Sequence, residues 1–256
     1  MGNEQRHLYE FIIKDDDDFS LKKTNLKVSF KFSDNYKISE SDKRVVYKGT
    51  IDGKKYYVIK VYKKKNKEMF YTISDLFDDL KNLYKAKSLV SKYTKRYQNI
   101  SEFIHMNFVN FYIGSEKEKD EAELKKILSN EESKNSEIGN GLNLIENYID
   151  INDFPIFVNS FCEVKYKDVQ SIYWFMHWNW VETKGNFLVC DLKGKRKNGK
   201  EFEFSSPTLQ SKDKSYGNSD NGVYSLISFL SEHKHNEYCK NLSWPSDNDI
   251  KRAKEK

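Results

Sequence analysis

The sequence FMHWNWVETKGNFLVCDLKG, Phe175 to Gly194, decides how the rest of the chain is read. Its first half belongs to an aromatic run, KDVQSIYWFMHWNWV, that reads as a buried helix or a helix–strand passage. One histidine, His177, sits among those rings. The second half, within GNFLVCDLKGK, reads as a buried strand ending in Asp191. Alone, neither residue says much. A histidine among aromatics is more often a satisfied core residue than a ligand, and an Asp before LKG is usually a turn residue.

A second stretch gives His177 company. SEHKHNEYCKNL, residues 231 to 242, places His233, His235 and Cys239 within seven positions of a chain with five His and three Cys. One reading is a polar helix end where three such residues meet by chance. The other is a metal. Zinc favours four His and Cys ligands in a closed structural site, and H-x-H-x-x-x-C supplies three. His177 is the candidate fourth ligand because its neighbours are apolar and aromatic. Such a site would pin the last part of the chain to the body of the fold and contribute folding energy. The spacing is not that of a nucleic-acid-binding Cys2His2 finger.

Composition bounds the remaining options. A chain of 256 residues suits one large domain or two smaller lobes, and aromatics at 15% can fill a core. The net charge of +5 is modest, and charged residues of both signs make up 32%, so no nucleic-acid or membrane partner follows. Three cysteines, at 162, 190 and 239, do not form a secreted disulfide framework, which points to a reducing, cytoplasmic setting. No signal peptide or membrane-spanning run is visible. Gly2 raises N-terminal myristoylation, but that motif wants Ser or Thr where Arg6 stands.

Along the chain, residues 1–40 read as a mixed N-terminal extension with an acidic cluster, KDDDDF, as a solvated loop. RVVYKGTIDGKKYYVIKVY, Arg44 to Tyr62, reads as a β-hairpin about Asp52–Gly53, with Lys60 inside its second strand. The lysines that follow read as a solvated strand end, with no stacking platform for a nucleic acid. A helix follows with Ser74 as its N-cap and Leu76, Leu80, Leu83, Tyr84 and Leu89 at helical spacing. FIHMNFVNFYIG reads as strand. Residues 115–140 are a charged insertion, partly helical or disordered. LNLIENYID is strand leading to a hinge, KEFEFSSP is strand, and GVYSLISFLSEH is helix. Phosphoryl transfer needs a cation on the phosphates, a carboxylate, and backbone N–H groups near the anion. Lys60, Asp191 and the loop Gly217–Gly222 could form such a set, although each signal is weak on its own.

In this order and spacing, these residues resemble the alpha-kinase family, of the myosin heavy chain kinase, elongation-factor kinase and TRP-channel-linked kinase type. The resemblance runs from about Arg44 to Leu242. The family carries a histidine in an F-S-H-x-x-Y-like segment and, fourteen residues later, the Asp of D-L-Q-G, which His177 and Asp191 match. SSPTLQS matches a T-D-P-x-I-H-S-like segment. A Gly-rich loop and a helix follow, and HKHNEYC matches H-x-C-N-x-x-C, with Asn236 on the family Asn.

The resemblance implies a two-lobed, kinase-like α+β fold with a structural zinc in the C-lobe. The domain would span 41–244, with an N-lobe of about 41–145, a C-lobe of about 146–244 and a charged tail at 245–256. Zinc would be held by His177, His233, His235 and Cys239, His235 replacing a family Cys. Lys60 would contact the ATP phosphates, Arg44 would lie near the nucleotide, Glu146 beside the adenine with Asn147 in place of a family Pro, and Asp191 would be the catalytic carboxylate. The activity implied is ATP- and Mg2+- (or Mn2+-) dependent phosphorylation of Ser or Thr on a protein substrate; oligomeric state is left open.

Two positions depart from the family pattern. Lys193 stands at the Gln of D-L-Q-G and Ser206 at the Asp of T-D-P, both associated with the metal. Mg2+ wants oxygen ligands, so the two changes weaken the site, and one adds a positive charge. Glu201, Glu203 or Asp220 could restore oxygen, or the Lys193 ammonium could neutralise phosphate charge. The alternative function is a pseudokinase, a nucleotide-binding or interaction module without transfer.

Overall fold

The computed structural model describes residues 4–13, 18–41, 43–51, 55–63, 72–100, 103–130, 141–150, 152, 154–166, 169–197, 199 and 201–255. Gly2, the Asp52–Gly53 turn and most of the acidic cluster lie outside them. The chain divides into two units, Met1–Lys81 with Val109–Ile151 and Asn82–Phe108 with Asn152–Lys256.

The first unit is a sheet. Its hairpin forms as the β-branched and aromatic runs predict, β4 (Arg44–Ile51) pairing with β5 (Lys55–Tyr62) from Arg44 opposite Tyr62 to Ile51 opposite Lys55. Around it stand β1 (Glu4–Ile13), β2 (Phe19–Phe30), β3 (Lys37–Glu40), β7 (Phe111–Ser115) and β8 (Leu142–Asn147), in the order β2-β1-β7-β8-β5-β4-β3. The segment read as an N-terminal extension, residues 1–40, therefore supplies three of the seven strands. β2 also pairs with β4, Phe30 opposite Gly49, so six of the strands close into a ring. A Cβ on Gly49 would lie 2.2 Å from the Phe30 ring, so the closure requires glycine there. Leu8, Val28, Phe30, Tyr57, Ile59, Tyr112 and Ile145 fill the interior.

The charged insertion is helical at α2 (Glu121–Ser129), where Asp120 caps the first turn and Leu124 and Leu128 are buried. It is tied to the sheet: Tyr9 donates to the Lys119 carbonyl at 2.7 Å, and Lys23 pairs with Glu118. Residues 131–140 lie outside the described residues.

Helix α1 (Ile73–Tyr97) begins one residue before the expected cap Ser74. Thr72 donates to the Asp75 carboxylate through its N–H and hydroxyl, at 2.8 and 3.0 Å, and fixes the first turn.

In the second unit, α3 (Gln170–Glu182) is buried on every side from Ser171 to Trp180, as the unbroken aromatic run predicts. Tyr93 of α1 meets Trp174, Phe175 and Trp178 with ring centres 5.2–5.6 Å apart. Strands β6 (His105–Phe108), β12 (Glu201–Phe204), β11 (Leu192–Lys197) and β9 (Ile156–Val158) form one sheet in that order, and β10 (Phe187–Cys190) pairs with β13 (Thr208–Ser211). Helices α4 (Val223–Glu232) and α5 (Asp247–Lys254) follow. The stretch read as a charged tail thus holds a capped helix, with Ser246 and Asp249 exchanging bonds at its start.

Cys162 and Cys190 pair as a disulfide, with Cα atoms 5.0 Å apart; of the three cysteines only Cys239 stays outside it. The turn after β9 brings together two residues 28 apart in sequence, a proximity that spacing alone does not reveal. Among the described residues, no helix is long and apolar enough to cross a membrane.

Candidate functional site

In the first unit the residues expected near a nucleotide fall into two ion-paired groups. Lys60 and Glu146 stand on neighbouring strands, with Lys60 opposite Leu144 and Glu146 opposite Val58. Their side chains meet, Nζ to Oε2, at 2.8 Å, with Glu146 1% and Lys60 11% exposed. Withdrawn from water, each charge needs the other. Next to Glu146, the Asn147 N–H donates to the Asn110 carbonyl at 3.0 Å, a bond that a proline at this position could not make.

Arg44 belongs to the second group, around a residue that the sequence did not single out, Asp79 on α1. The Asp79 carboxylate accepts from Arg44 at 2.9 Å, Lys43 at 3.1 Å and the Tyr62 hydroxyl at 2.5 Å. Burial alone would raise its pKa, but Arg44 and Lys43 hold it below the ordinary Asp value. The same burial and the same carboxylate push the Tyr62 phenol well up. The available signal was an acid on an apolar-striped helix beside a basic strand start, and nothing in spacing distinguishes Asp79 from Asp78.

In the second unit Asp191 does not end a strand; it separates β10 from β11. Its backbone is left-handed, φ 55°, and its N–H donates to the Asn159 carbonyl at 3.1 Å. Thr208 stands opposite Cys190, and Ser205 donates to the Lys193 carbonyl at 2.9 Å, so Asp191–Lys193 and Ser205–Thr208 run side by side. Ser206, 7% exposed, lies in that second segment. Lys193 reaches back to Asp191, with Nζ 2.8 Å from Oδ2.

The Gly217–Gly222 loop is organised by Asp220, which is 5% exposed. Its oxygens accept from the Ser211 N–H and hydroxyl at 2.9 and 2.5 Å, from the Gly222 N–H at 2.8 Å and from the Tyr216 N–H at 3.3 Å. Gln210, also missed from sequence, clamps the same loop. It donates to the Ser219 carbonyl at 2.9 Å and accepts from the Asn221 N–H at 2.6 Å. Gly217 and Gly222 both have positive φ, 80° and 75°, and Gly222 at ψ −151° occupies a conformation open to glycine alone.

The residues present do not fit a Mg2+ centre beside Asp191. An ammonium occupies its carboxylate, Ser206 offers a neutral hydroxyl, and both Asp220 oxygens already accept hydrogen bonds. The two acids expected to restore oxygen are engaged elsewhere. Glu203 pairs with Lys197 at 2.8 Å and Lys195 at 3.6 Å, and Glu201 accepts from Asn107 at 2.9 Å.

The four predicted zinc ligands come together. One ligand atom each from His177, His233, His235 and Cys239 lies within 4.8 Å of the others. Cys239 Sγ stands 4.0 Å from His233 Nε2 and 3.9 Å from His235 Nδ1, close to the edge of about 3.6 Å that zinc bond lengths give a tetrahedron. Both ring nitrogens of the fully buried His177, and Nδ1 of His233, have no hydrogen-bond partner among the described residues. Buried polar atoms are rarely left so, and a metal would satisfy them. Burial, with the neighbouring imidazoles, lowers the pKa of His177 to about 3 and that of His233 to about 4, so both rings are neutral and able to ligate. Asn236 sets the turn: its side-chain oxygen accepts from the N–H groups of Tyr238 and Cys239, and its amide donates to Gln170. His235 Nε2 faces Asp247 at 3.5 Å, the outer carboxylate that commonly orients a ligating imidazole.

The alpha-kinase family model matches residues 39–239, and the chain belongs to that family, whose members are protein kinases. Among solved structures, the chain resembles an alpha kinase from Entamoeba histolytica, with TM-score 0.74 and 14% identity over 97% of this chain and 94% of that one. It also resembles the alpha-kinase domain of myosin-II heavy chain kinase A, as apoenzyme and with AMP-PNP. Both give a TM-score of 0.66, at 14% and 13% identity, over 93% of this chain and 95% of those. No curated protein sequence matches the chain.

Proposed function

We propose that the chain binds ATP and transfers its γ-phosphoryl group to a serine or threonine hydroxyl of a protein. The observation that carries this reading is the Lys60–Glu146 pair, a strand lysine held at 2.8 Å by a buried carboxylate. Such a pair fixes an ammonium in one direction, as phosphate binding requires. The carboxylate that the resemblance placed beside the adenine is thus also the group that orients Lys60. Arg44, held by Asp79, adds a second fixed cation. Structures of the myosin-II heavy chain kinase A domain with ATP, AMP-PNP and ADP support the nucleotide. Asp191 would accept the proton of the attacking hydroxyl, so that catalysis rests on positioning and charge.

His177, His233, His235 and Cys239 would hold zinc. Closed by four protein ligands, it would contribute folding energy and tie α3 to the turn after α4, with no part in phosphoryl transfer.

The Lys193–Asp191 pair favours a second reading, a nucleotide-binding module without transfer. Incubation with radiolabelled ATP, Mg2+ or Mn2+ and generic protein substrates separates the two. Label in phosphoserine or phosphothreonine that disappears in Asp191→Ala, with circular dichroism unchanged, supports transfer. Nucleotide binding without label supports the second reading, and absence of nucleotide binding overturns both.

A further inference from the structure

We infer that Lys193 takes the place of a divalent cation beside Asp191, so that this chain neutralises its phosphoryl-transfer carboxylate with its own side chain. The inference deepens the reading of Asp191 given above and rests on it. Lys193 Nζ lies 2.8 Å from Asp191 Oδ2, at direct hydrogen-bonding distance. Mg2+ would bind the same oxygen at about 2.0–2.1 Å, and an ammonium and a dication cannot share that oxygen without strong repulsion.

The pair is held from both sides. Asp191 is fixed by its bond to Asn159 and by the disulfide at Cys190, and Lys193 by strand pairing with Ile156 and by its carbonyl bond to Ser205. Charge points the same way. One carboxylate and one ammonium sum to zero, and at Ser206 a neutral side chain stands where a second carboxylate would have offset a dication. Asp220, Glu201 and Glu203 already have hydrogen-bond or ion-pair partners. What remains is a fixed monovalent cation, which can face a phosphate oxygen as a point charge but has no coordination geometry.

Mn2+ serves as the probe, because its paramagnetism reports binding without turnover. The full chain, loaded with zinc, is titrated with Mn2+ and read by electron paramagnetic resonance. AMP-PNP affinity is measured separately with Mg2+ and in chelator-free buffer with no Mg2+ added, which leaves the zinc in place. In the wild-type chain, Mn2+ binding should equal that of Asp191→Asn, and AMP-PNP affinity should differ by less than about threefold with and without Mg2+. Lys193→Gln combined with Ser206→Asp should gain a Mn2+ site that a further Asp191→Asn removes. Its nucleotide affinity should become dependent on Mg2+ by about tenfold or more. Lys193→Met, which removes the charge and keeps the stem, replaces the glutamine variant if that one fails to fold. The inference is overturned if the wild-type chain holds Mn2+ more tightly than Asp191→Asn does, or if removing the Lys193 charge adds no Mn2+ site. Should AMP-PNP bind in neither condition, the nucleotide reading fails, while the Mn2+ comparison still decides the role of Lys193.

Discussion

At the scale of single residues, ion pairs dominate. Lys60 and Glu146 are withdrawn from water together, so removing one takes the ion pair from the other. Lys60→Met should cost about 3–5 kcal/mol in denaturant unfolding, and adding Glu146→Gln should recover much of that loss. Neither variant should bind ATP, which separates stability from function. Asp79 makes a pH prediction. Its folded pKa is depressed, so its stabilisation is complete above the unfolded value of about 4 and is lost as pH falls through the lower folded value. Asp79→Asn should lower stability by about 3 kcal/mol at neutral pH and flatten the acid limb of the stability profile. The positions of Lys60 and Asp191 were legible in the sequence because strand pattern and family resemblance both marked them, and that of Glu146 because the resemblance did. Asp79 was not, because ion pairing depends on which helix face meets which strand end.

At the scale of elements, the His and Cys cluster couples α3 to the turn after α4. Chelation of bound zinc should lower the melting temperature, and at about a thousandfold zinc excess over Kd the lost stabilisation is about 4 kcal/mol. Tryptophan fluorescence would follow it, since Trp174, Trp178 and Trp180 share α3 with His177. His177→Ala should abolish the metal-dependent part of that stability. The His and Cys cluster was legible because two short motifs carried it. The grip of Asp220 and Gln210 on the glycine loop was not, because each bond runs to a backbone group that sequence does not mark. Asp191 likewise read as a strand end, whereas its left-handed backbone makes it a joint between two strands.

At the scale of the whole chain, the order of most elements followed from alternation and helical spacing, and the α+β class from the family resemblance. The two strands before residue 31 did not, because lysine-rich β2 looks like solvated loop until its partners are known. The family model begins at residue 39, yet β1 lies between β2 and β7. Deleting the first 38 residues would strip β7 of one neighbour and expose the edge that β1 covers. Such a fragment should be insoluble or lose cooperative unfolding by circular dichroism, while the same deletion at residue 3 should change neither.

The place of β1 also sets a timetable for synthesis. His7 pairs with Ser115, about a hundred residues later, so at ribosomal rates β1 waits roughly five to twenty seconds for that partner. During that interval only the β2 hairpin shields it. A chain built this way depends on what meets it at the ribosome exit.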